Sequence, residues 1–466
     1  MATKKWDSET DLIIVGAGLA GFCAALQASE AGVSSVLLEK TSNVGGTSGM
    51  SGGLFAFAGT DLQKEQGIDD TDERLFDDLR RVGGFKNDES IVSLYVRHQL
   101  ATYHWLKAHG VLFGHPEASA GQSVPRSHHT KSAQVIEALA ARLESAGRST
   151  VMRKTAATRL LREHDDGPVE GVLAESNGRT TRIKARRGVV LTSGGFSRNA
   201  KLLATFAPLQ IGVNVVCGEG CDGDGLLMAW KLGADLRDMA YVKSTFGNHP
   251  DSGSVRHLLL FPVYRGAIAV NKAGKRFVNE SLSYKLLGDA CLQQPDGLAF
   301  QVFDTTVMEK TSPGVLTFDF QEAVDDGYML KADTLAALAG KIGVDPAALA
   351  ETVSGYNRRI AGGETDEFGR TSMSNQFGKL VELTRAPFYA YPSVNVMLGT
   401  YCGIGVNDRM EVIDVFGATI PNLYAAGEVQ GGFHGAAYMT GSGLGKAAIF
   451  GRVAVATALN SALGAA

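Results

Sequence analysis

Three glycines near the start of the chain have the spacing to bind the phosphates of a dinucleotide. Gly16, Gly18 and Gly21 follow the apolar run Leu12–Val15, and a helix-like stretch follows them. In a strand–turn–helix unit the first glycine permits the tight turn, the second lets the backbone approach a pyrophosphate, and the third lets helix and strand pack closely. Glu39 ends the next apolar run about twenty residues later, where a carboxylate can accept hydrogen bonds from a ribose. This spacing predicts a dinucleotide site.

A second glycine-rich segment follows directly, at Asn43–Gly53, with the sequence NVGGTSGMSGG. Such a segment exposes many backbone N–H groups, which can wrap phosphates and a flat ring system. We expect a continuous loop here, whereas an enzyme that binds NAD would usually continue into another helix. The segment therefore favours FAD over NAD.

These two segments resemble the FAD-binding fold of the glutathione-reductase type. More narrowly, they resemble the flavoprotein family of fumarate reductase, succinate dehydrogenase and 3-ketosteroid dehydrogenase. Later segments look like that family in its order, namely Val189–Phe196, Gly274–Ser281 (GKRFVNES) and Ile420–Glu428, which ends in a Gly-Glu pair. The resemblance implies an α/β protein, with a Rossmann-like FAD-binding domain and an inserted α+β capping and catalytic domain.

The resemblance also implies how FAD is held and how the chain divides. Covalent members attach flavin to a histidine in the glycine loop, and Gly45–Gly53 contains none, so non-covalent FAD is expected. The FAD-binding domain is predicted to comprise residues 1–234 and 395–466, and the capping domain residues 235–394. The expected cofactor-binding residues are Gly16, Gly18, Ala20, Gly21, Glu39, Lys40, Gly45, Gly46, Thr47, Ser48, Gly52, Gly53, Ser193, Gly194, Asp224, Gly427, Glu428, Ser442 and Leu444.

At three places the chain departs from the family members that reduce dicarboxylates. Those members resemble one another in an arginine after GKRFVNE, a histidine in a glycine turn, and an arginine after the Gly-Glu pair. Here the three places hold Tyr284, Thr400 or Tyr401, and Tyr438. The pattern resembles the 3-ketosteroid dehydrogenases, and Tyr438–Gly445 looks most like the members that desaturate saturated 3-ketosteroids at the 4,5 bond.

Phenols suit the desaturation of a ketone, which removes a proton α to the carbonyl and a hydride β to it. A neutral donor to the carbonyl oxygen makes the α proton more acidic, and Tyr438 is the predicted donor, helped by Thr440 or a backbone N–H such as that of Gly441. Tyr284 is the predicted base, with its pKa lowered by its neighbours, and the hydride goes to N5 of FAD. The expected substrate is a 3-ketosteroid or a smaller cyclohexanone-type ketone such as an oxocyclohexanecarboxylate. The electron acceptor could be oxygen, a quinone or a dye-like carrier.

The polar segment Ala118–Lys131, with the sequence ASAGQSVPRSHHTK, offers an alternative site. It carries basic side chains that could bind an anionic group of the substrate, or it could be a solvated connection. With Arg265, it would serve the alternative function, a fumarate-reductase-like reduction of an unsaturated carboxylic acid; a flavin-binding protein without catalysis is a third hypothesis. The further candidate substrate-binding residues are Arg126, His128, His129, Tyr401 and His434.

The elements that must position these residues follow from periodicity and capping signals. Helices are predicted within Asp72–Gly110, at Ser132–Gly147, at Pro346–Gly362 and from Gly443 onward. A β-meander is predicted within residues 149–195, and strands at residues 258–264 and 267–271. The last predicted helix would direct its N-terminus, and thus its positive dipole end, at the flavin.

Composition excludes several other classes of function. The chain of 466 residues has 45 Lys and Arg against 49 Asp and Glu, so its net charge near −4 argues against a nucleic-acid partner. No apolar stretch approaches the ~18 residues of a membrane span, and the N-terminus lacks the apolar region of a signal peptide, so a cytoplasmic location is predicted. The five cysteines are scattered without metal-ligand spacing, so no metal site is predicted.

Overall fold

Two β-sheets, each with its own hydrophobic cluster, organise the chain. The computed structural model describes residues 5–253, 258–315, 317–374, 377–461 and 463. The strands are β1 Ser8–Val15, β2 Ser35–Leu38, β3 Leu54–Ala56, β4 Pro116–Glu117, β5 Ser127–His129, β6 Ser149–Met152, β7 Ala156–Leu161, β8 Gly171–Ser176, β9 Arg179–Leu191, β10 Asn214–Val215, β11 Leu236–Arg237, β12 Thr245–Asn248, β13 Ile268–Asn271, β14 Ala299–Asp304, β15 Leu330–Ala332, β16 Phe388–Met397, β17 Gly403–Ile404, β18 Glu411–Ile413 and β19 Thr419–Ala425. The helices are α1 Leu19–Glu30, α2 Gly46–Met50, α3 Asp61–Glu65, α4 Asp72–Val82, α5 Glu89–Ala108, α6 Ser132–Ala146, α7 Ala200–Phe206, α8 Asp224–Lys231, α9 Tyr284–Leu292, α10 Thr305–Met308, α11 Phe320–Asp325, α12 Leu335–Ile342, α13 Pro346–Gly362 and α14 Ser442–Ala458.

The first sheet has the order β18-β19-β9-β1-β2-β6, and β19, β9, β1, β2 and β6 run parallel. Its central strand β1 is apolar on both faces, with Leu12, Ile13 and Ile14 fully buried, as strands covered on both sides are. The predicted meander is confirmed, since β7, β8 and the first half of β9 pair antiparallel. The second half of β9 then lies parallel to β1, so the chain returns to the cofactor side of the sheet.

The second sheet is built around the long strand β16, which pairs with β14, β15, β12 and β10. Strand β13 extends it beyond β14. Strand β10 precedes residue 235 and nevertheless pairs with β16, so part of the segment predicted for the FAD-binding domain joins this sheet. The division of the chain at residues 235 and 394 stays a prediction.

Two expectations from the sequence are wrong. The segment Asn43–Gly53 is not a continuous loop, because the five-residue helix α2 begins at Gly46 after Gly45 turns the chain with φ near 103°. Residues 258–264 do not form a regular strand: Leu259 makes one isolated bridge, and Pro262 begins a short 3₁₀ helix. Proline lacks the N–H that a strand ladder needs, and its fixed φ suits the first position of a helical turn.

The predicted helices that matter for the site are present. Helix α6 and helix α13 have nearly the expected bounds, and α14 begins one residue before the predicted Gly443. Within the described ranges, no helix is long and apolar enough to cross a membrane.

Candidate active site

A cleft at the carboxyl ends of β1, β2 and β9 contains most of the residues predicted to bind the cofactor. We call it the cofactor cavity; it encloses about 850 Å³, counting space open to solvent. Among the predicted residues, its lining includes Gly16, Gly18, Ala20, Glu39, Lys40, Gly46, Thr47, Ser48, Ser193, Gly194, Asp224, Gly427 and Glu428.

Backbone rather than side chains forms the phosphate end of this cavity. Gly16 has φ near 109°, and a Cβ there would lie 2.5 Å from the carbonyl oxygen of Thr192. A Cβ at Gly21 would collide with the carbonyl oxygen of Gly16, so Gly21 serves the packing of α1 and not the lining. Gly18 caps α1 without a side-chain hydrogen bond. The N–H of Leu19 donates to Ser48 Oγ at 3.4 Å, and the next N–H groups of α1 are available to an anion.

One acidic and one basic side chain, Glu39 and Lys40, lie side by side in the lining of the cofactor cavity. The Glu39 carboxylate accepts hydrogen bonds from the backbone N–H of Ala17 at 3.1 Å and of Thr41 at 2.8 Å, which hold it in the lining. Lys40 forms ion pairs with Asp222 and Asp224 at 2.8 and 2.6 Å. Burial opposes the charged form of Lys40, but these two carboxylates outweigh it and raise its pKa.

The hydroxyl of Ser193 shows whether these residues fit FAD. Ser193 Oγ is buried in the wall of the cofactor cavity and has no hydrogen-bond partner. A buried unpaired hydroxyl is unfavourable unless a ligand satisfies it. Helix α2 likewise begins at Gly45 without a side-chain cap. Ser193 and the starts of α1 and α2 thus supply the donors that the phosphates and hydroxyls of FAD need, and the residues fit the group.

Glu428 links the cofactor cavity to the segment around Thr400. Its Oε1 accepts a hydrogen bond from the backbone N–H of Thr400 at 2.8 Å. A Cβ at Gly399 would lie 2.8 Å from the same oxygen, and one at Gly195 would collide with it. Burial raises the pKa of Glu428, against the opposing effects of the Thr400 N–H and of Lys446.

A second cavity, the phenol cavity, shares Thr47 with the cofactor cavity. It encloses about 830 Å³, counting space open to solvent, and none of the described residues that line it carries a charge. Of the predicted site residues, the phenol cavity is lined by Thr47, Gly52, Gly53, Tyr284, Tyr401, Tyr438, Thr440, Gly441 and Leu444. Three of the predicted cofactor-binding residues lie outside both linings: Gly21, Gly45, which is the N-cap of α2, and Ser442, which is the first residue of α14.

Tyr438 lies at the N-terminus of α14. Its hydroxyl oxygen accepts a hydrogen bond from the backbone N–H of Gly443 at 3.1 Å. Burial raises the pKa of Tyr438 to about 12, and hydrogen bonds from the backbone of Gly443 and Gly441 oppose that rise. Sequence reasoning named Gly441 but missed Gly443. A signal was present, because Gly441 at the N-cap of α14 has no side chain to accept the first N–H groups of the helix, and that of Gly443 is one of them.

Tyr284 begins α9, and its ring packs against that of Tyr438 in the wall of the phenol cavity. The ring centroids lie 5.8 Å apart, and Tyr284 stacks on Phe261 at 5.0 Å. The hydroxyl of Ser283, which caps α9, donates to the carbonyl oxygen of Tyr438 at 2.8 Å, so the two segments are tied together. The expectation that neighbours lower the pKa of Tyr284 is wrong: burial raises it well above its usual value, Tyr438 adds to the rise, and the hydrogen bond to Thr440 opposes it less strongly.

Tyr401 is the third phenol of the phenol cavity and has φ near 56°, which is uncommon for a residue with a side chain. Its ring centroid is 4.7 Å from that of Tyr438. His434 lies behind these rings, 5.1 Å from Tyr438 and 5.3 Å from Tyr401, and lines neither cavity. Burial holds the pKa of His434 well below its usual value, with Lys446 adding to the effect.

Arg126, His128 and His129 line neither cavity, whereas Ser119 and Ala120 of the same polar segment line the phenol cavity. Arg126 is fully buried, and its guanidinium pairs with Asp70 and Asp78 at 2.8 Å each. His128 is also fully buried and lies 2.8 Å from the hydroxyl of Thr60. These carboxylates and the hydroxyl satisfy the polar groups that the sequence presents as free.

The remaining two basic residues of the alternative site lie near the same carboxylate, but only Arg265 is hydrogen-bonded to it. Arg265 donates to Glu117 at 2.9 Å, and Nε2 of His129 lies 3.8 Å from Glu117. Neither lines the cofactor cavity or the phenol cavity. Long-range pairing of this kind cannot be read from the spacing of the residues in the chain.

Lys285 is a charged residue that sequence reasoning missed. It follows Tyr284 in the first turn of α9, is 2% exposed, and its Nζ lies 4.4 Å from the ring centroid of Tyr401. The signal was a lysine at the start of the mostly apolar helix YKLLGDACL, where the helix dipole disfavours a cation.

Comparison with known proteins gives one family and several relatives. The family described as FAD binding domain matches residues 11–444. The chain is 30% identical over 461 residues to a probable fumarate reductase, Ifc3, of Shewanella frigidimarina, covering 97% of this chain and 75% of that protein. It is also 30% identical over 464 residues to urocanate reductase of Eggerthella lenta, with 97% and 75% covered.

A solved structure matches nearly the whole chain. It is that of 3-ketosteroid-Δ4-(5α)-dehydrogenase from Rhodococcus jostii RHA1 in complex with 4-androstene-3,17-dione. The TM-score is 0.78 and the sequence identity 26%, and 98% of each chain is covered. The similarity therefore extends over both sheets.

Proposed function

Since this chain belongs to the FAD-binding family of the fumarate reductase and succinate dehydrogenase flavoproteins, we propose that it desaturates a cyclic ketone next to the carbonyl. The protein is an FAD-dependent oxidoreductase that acts on CH–CH or C=C groups. The observation that carries the proposal is the pair Tyr284 and Tyr438, which pack against each other in the wall of a cavity whose described lining is uncharged.

Tyr438 is proposed to hold the ketone oxygen. Because its hydroxyl oxygen accepts the Gly443 N–H, its own proton is free to be donated, and accepting one hydrogen bond strengthens the donation of the other. The N-terminus of α14 adds a positive dipole end beside the oxygen. Both effects stabilise the negative charge that develops when the α proton leaves.

Tyr284 is proposed to take the α proton. Its raised pKa makes the phenolate a strong base, but only a small fraction is ionised at neutral pH. The rate of the proton-transfer step should therefore rise with pH toward the pKa of Tyr284. When bound, FAD supplies the acceptor for the β hydrogen and its electron pair, so that the ketone loses two hydrogens in all.

The proposed substrate is a 3-ketosteroid or a smaller cyclohexanone-type ketone such as an oxocyclohexanecarboxylate. Phe261, Phe318 and Leu398 in the phenol cavity offer apolar surface to the ring. The related dehydrogenase of known structure was solved with a steroid ketone, which supports the ring-ketone class. The electron acceptor is proposed to be oxygen, a quinone or a dye-like carrier, and the cytoplasmic location stays a prediction.

Anaerobic titration of the oxidised holoenzyme with a panel of cyclic ketones tests this function. The panel includes a saturated 3-ketosteroid, cyclohexanone, 4-oxocyclohexanecarboxylate and the corresponding alcohols. We expect a ring ketone, but no alcohol, to bleach the flavin absorbance and to yield the α,β-unsaturated ketone. If no ketone bleaches the flavin, the proposal is wrong.

The second candidate function is the reduction of an unsaturated carboxylic acid. It is favoured by the 30% identity to proteins named as fumarate and urocanate reductases. A dicarboxylate, however, needs cations, and among the described residues none lines the phenol cavity. Steady-state assays with fumarate, urocanate and a reduced dye discriminate the two functions, because only this second function predicts turnover of the acids.

Non-covalent attachment of FAD is also a proposal. No histidine lies between Gly45 and Gly53 to carry a covalent bond. Acid precipitation should release all of the flavin into the supernatant, and yellow colour retained by the denatured chain would contradict this.

The proposed capping domain, residues 235–394, is supported by the separate hydrophobic cluster that most of it shares. Tyr284 comes from this segment, whereas Tyr438 belongs to the returning FAD-binding segment. Closure of the cap would exclude water from the phenol cavity. Hydrogen exchange should then show protection around Tyr284 on binding a ketone, and unchanged exchange there would argue against closure.

A further inference from the structure

Lys285 is a buried lysine to which the proposed reaction assigns no role. It is 2% exposed, and it stands in the first turn of α9, where the positive dipole end of the helix opposes a cation. Burial of an ammonium group is also unfavourable. Stability of the fold therefore does not explain why a lysine occupies this position.

The surroundings of Lys285 connect it to the phenols. Its Nζ donates a hydrogen bond to the carbonyl oxygen of Lys243 at 2.9 Å, and it lies over the face of the Tyr401 ring at 4.4 Å. Among the described residues no carboxylate forms an ion pair with it. The titratable and charged groups that act on it or lie beside it are Asp289 on the same helix, Glu428 after β19, His434 before α14, Tyr401 after β16, and the Lys243 side chain, which pairs with Asp289.

Tyr401 lies between Lys285 and the proposed carbonyl site. One face of its ring meets the ammonium, and the ring also packs against Tyr438 at 4.7 Å. A cation attracts the π face of an aromatic ring, so Lys285 helps to hold Tyr401 in its left-handed backbone conformation. In this water-poor region a positive charge also acts strongly on a nearby oxyanion.

We infer that Lys285 is a positioning residue that acts through Tyr401 and favours the anionic, enolate form of the ketone held at Tyr438. The inference rests on the proposed function and deepens it, because it assigns the charge that balances the enolate. Lys285 gives up no proton to the substrate in this role.

The pH dependence of this effect follows from the surroundings of Lys285. Burial lowers the pKa of Lys285 to about 7, and the carboxylates of Glu428 and Asp289 oppose that change. Lys285 is therefore charged below this pH and loses its proton above it. Its support for an anion should be largest in mild acid and should decline as the pH rises through neutrality.

The test uses oxidised holoenzyme and 2-fluoro-4-nitrophenol, a phenol that mimics an enol and cannot be desaturated. The ¹⁹F NMR shift of the bound phenol gives its ratio of ionised to neutral form without interference from flavin absorbance. Near pH 6 we expect this ratio to be about tenfold higher in the parent than in Lys285→Met, as expected for one unit charge at this range in a medium of low dielectric constant. Above neutral pH the two ratios should converge.

Matched variants separate the charge from packing. Lys310→Met removes another lysine whose Nζ donates to a carbonyl oxygen, that of Arg265 at 2.8 Å, and which lines neither cavity. It should keep the parent ratio. Lys285→Gln provides a second neutral variant if methionine disturbs the packing, and Lys285→Arg should restore a high ratio that no longer declines above neutral pH. FAD content and thermal unfolding confirm that each variant is folded.

Two outcomes overturn different parts of this assignment. If folded Lys285→Met and Lys285→Gln both bind the phenol with the parent ratio at every pH, Lys285 does not act on the bound anion. If the parent binds only the neutral phenol, or Tyr438→Phe keeps the parent ratio, the carbonyl site of the proposed function is wrong and the inference falls with it.

Discussion

The cofactor cavity and the phenol cavity are adjacent but are built in different ways. The cofactor cavity takes its phosphate end from the backbone at the starts of α1 and α2, and close approach requires glycine at Gly16 and Gly21. The phenol cavity takes its chemistry from the side chains of three distant segments, at Tyr284, Tyr401 and Tyr438. Substitutions in the first should therefore change FAD binding, and substitutions in the second should change turnover.

The two cavities also differ in their electrostatics. Glu39, Lys40 and Asp224 give the cofactor cavity polar, paired groups at its rim. In the phenol cavity, burial raises the pKa values of the phenols, and the buried ammonium of Lys285 lies behind Tyr401. The first cavity suits a charged, hydrated ligand, and the second suits a neutral ketone that becomes anionic only during the reaction.

The largest expected effect is in the phenol cavity. Tyr284→Phe removes the proposed base and leaves its stacked ring, so kcat should fall by ~10²–10⁴ while FAD content stays normal. Solvent exchange of the α hydrogens of the substrate, followed by NMR in the absence of an electron acceptor, should fall as well. Tyr356→Phe is the control, since the Tyr356 hydroxyl is buried without a partner in the second sheet's cluster. Turnover of Tyr284→Phe within about threefold of the parent would remove Tyr284 from the mechanism.

Tyr438→Phe should have the next largest effect. Loss of the donor to the ketone oxygen should lower kcat by ~10²–10³. Binding of the ketone should weaken less than turnover, because the charge on the oxygen is largest in the transition state. Steady-state kinetics and flavin content measure both. If KM rises and kcat stays unchanged, Tyr438 contacts the substrate without stabilising the enolate.

A smaller effect should appear in the cofactor cavity. Ser193→Ala removes a hydroxyl that has no partner within the protein, so the apoprotein should keep its thermal stability. The loss of one hydrogen bond to FAD should raise its dissociation constant roughly three- to tenfold. Ser29→Ala is the matched control, because the Ser29 hydroxyl is also buried and unpaired but lies on the body of α1. Equal FAD affinity of both variants and the parent, measured by flavin fluorescence titration, would show that Ser193 does not contact the cofactor.

The smallest effect on activity is expected at His128, outside both cavities. His128→Gln should change kcat/KM by less than about threefold, in contrast to both tyrosine variants. Burial lowers the pKa of folded His128 to about 4 from 6.5, so the unfolded chain binds its proton first as the pH falls. Folding stability should therefore fall between these two values, by up to ~3 kcal/mol from this group.

Denaturant unfolding of the parent and of His128→Gln at pH 7 and pH 5 measures this effect. The variant should lose less stability than the parent on acidification. The same pH dependence in both proteins would mean that other groups, such as His434, account for acid unfolding.

The fold and the cofactor were predictable because they depend on local rules. The strand, glycine turn and helix at Leu12–Glu30, and the helix that begins near Gly443, require only neighbouring residues, and the prediction of an FAD-binding α/β fold is confirmed. The same rules gave two wrong predictions of secondary structure: α2 forms within the predicted loop Asn43–Gly53, and a 3₁₀ helix begins at Pro262 within a predicted strand.

The sequence by itself determined the family and the FAD-binding α/β fold, and it singled out Tyr284, Tyr401 and Tyr438. Only the tertiary structure decided which candidate side chains have partners and in which direction their pKa values shift. Arg126 and His128 look free in the chain, yet Asp70, Asp78 and Thr60 satisfy them. Tyr284 was expected to have a pKa lowered by its neighbours, yet burial raises its pKa, and Tyr438 adds to the rise. Backbone turns depend on a few consecutive residues, whereas the charge state of a side chain depends on whatever distant segments pack around it and exclude water.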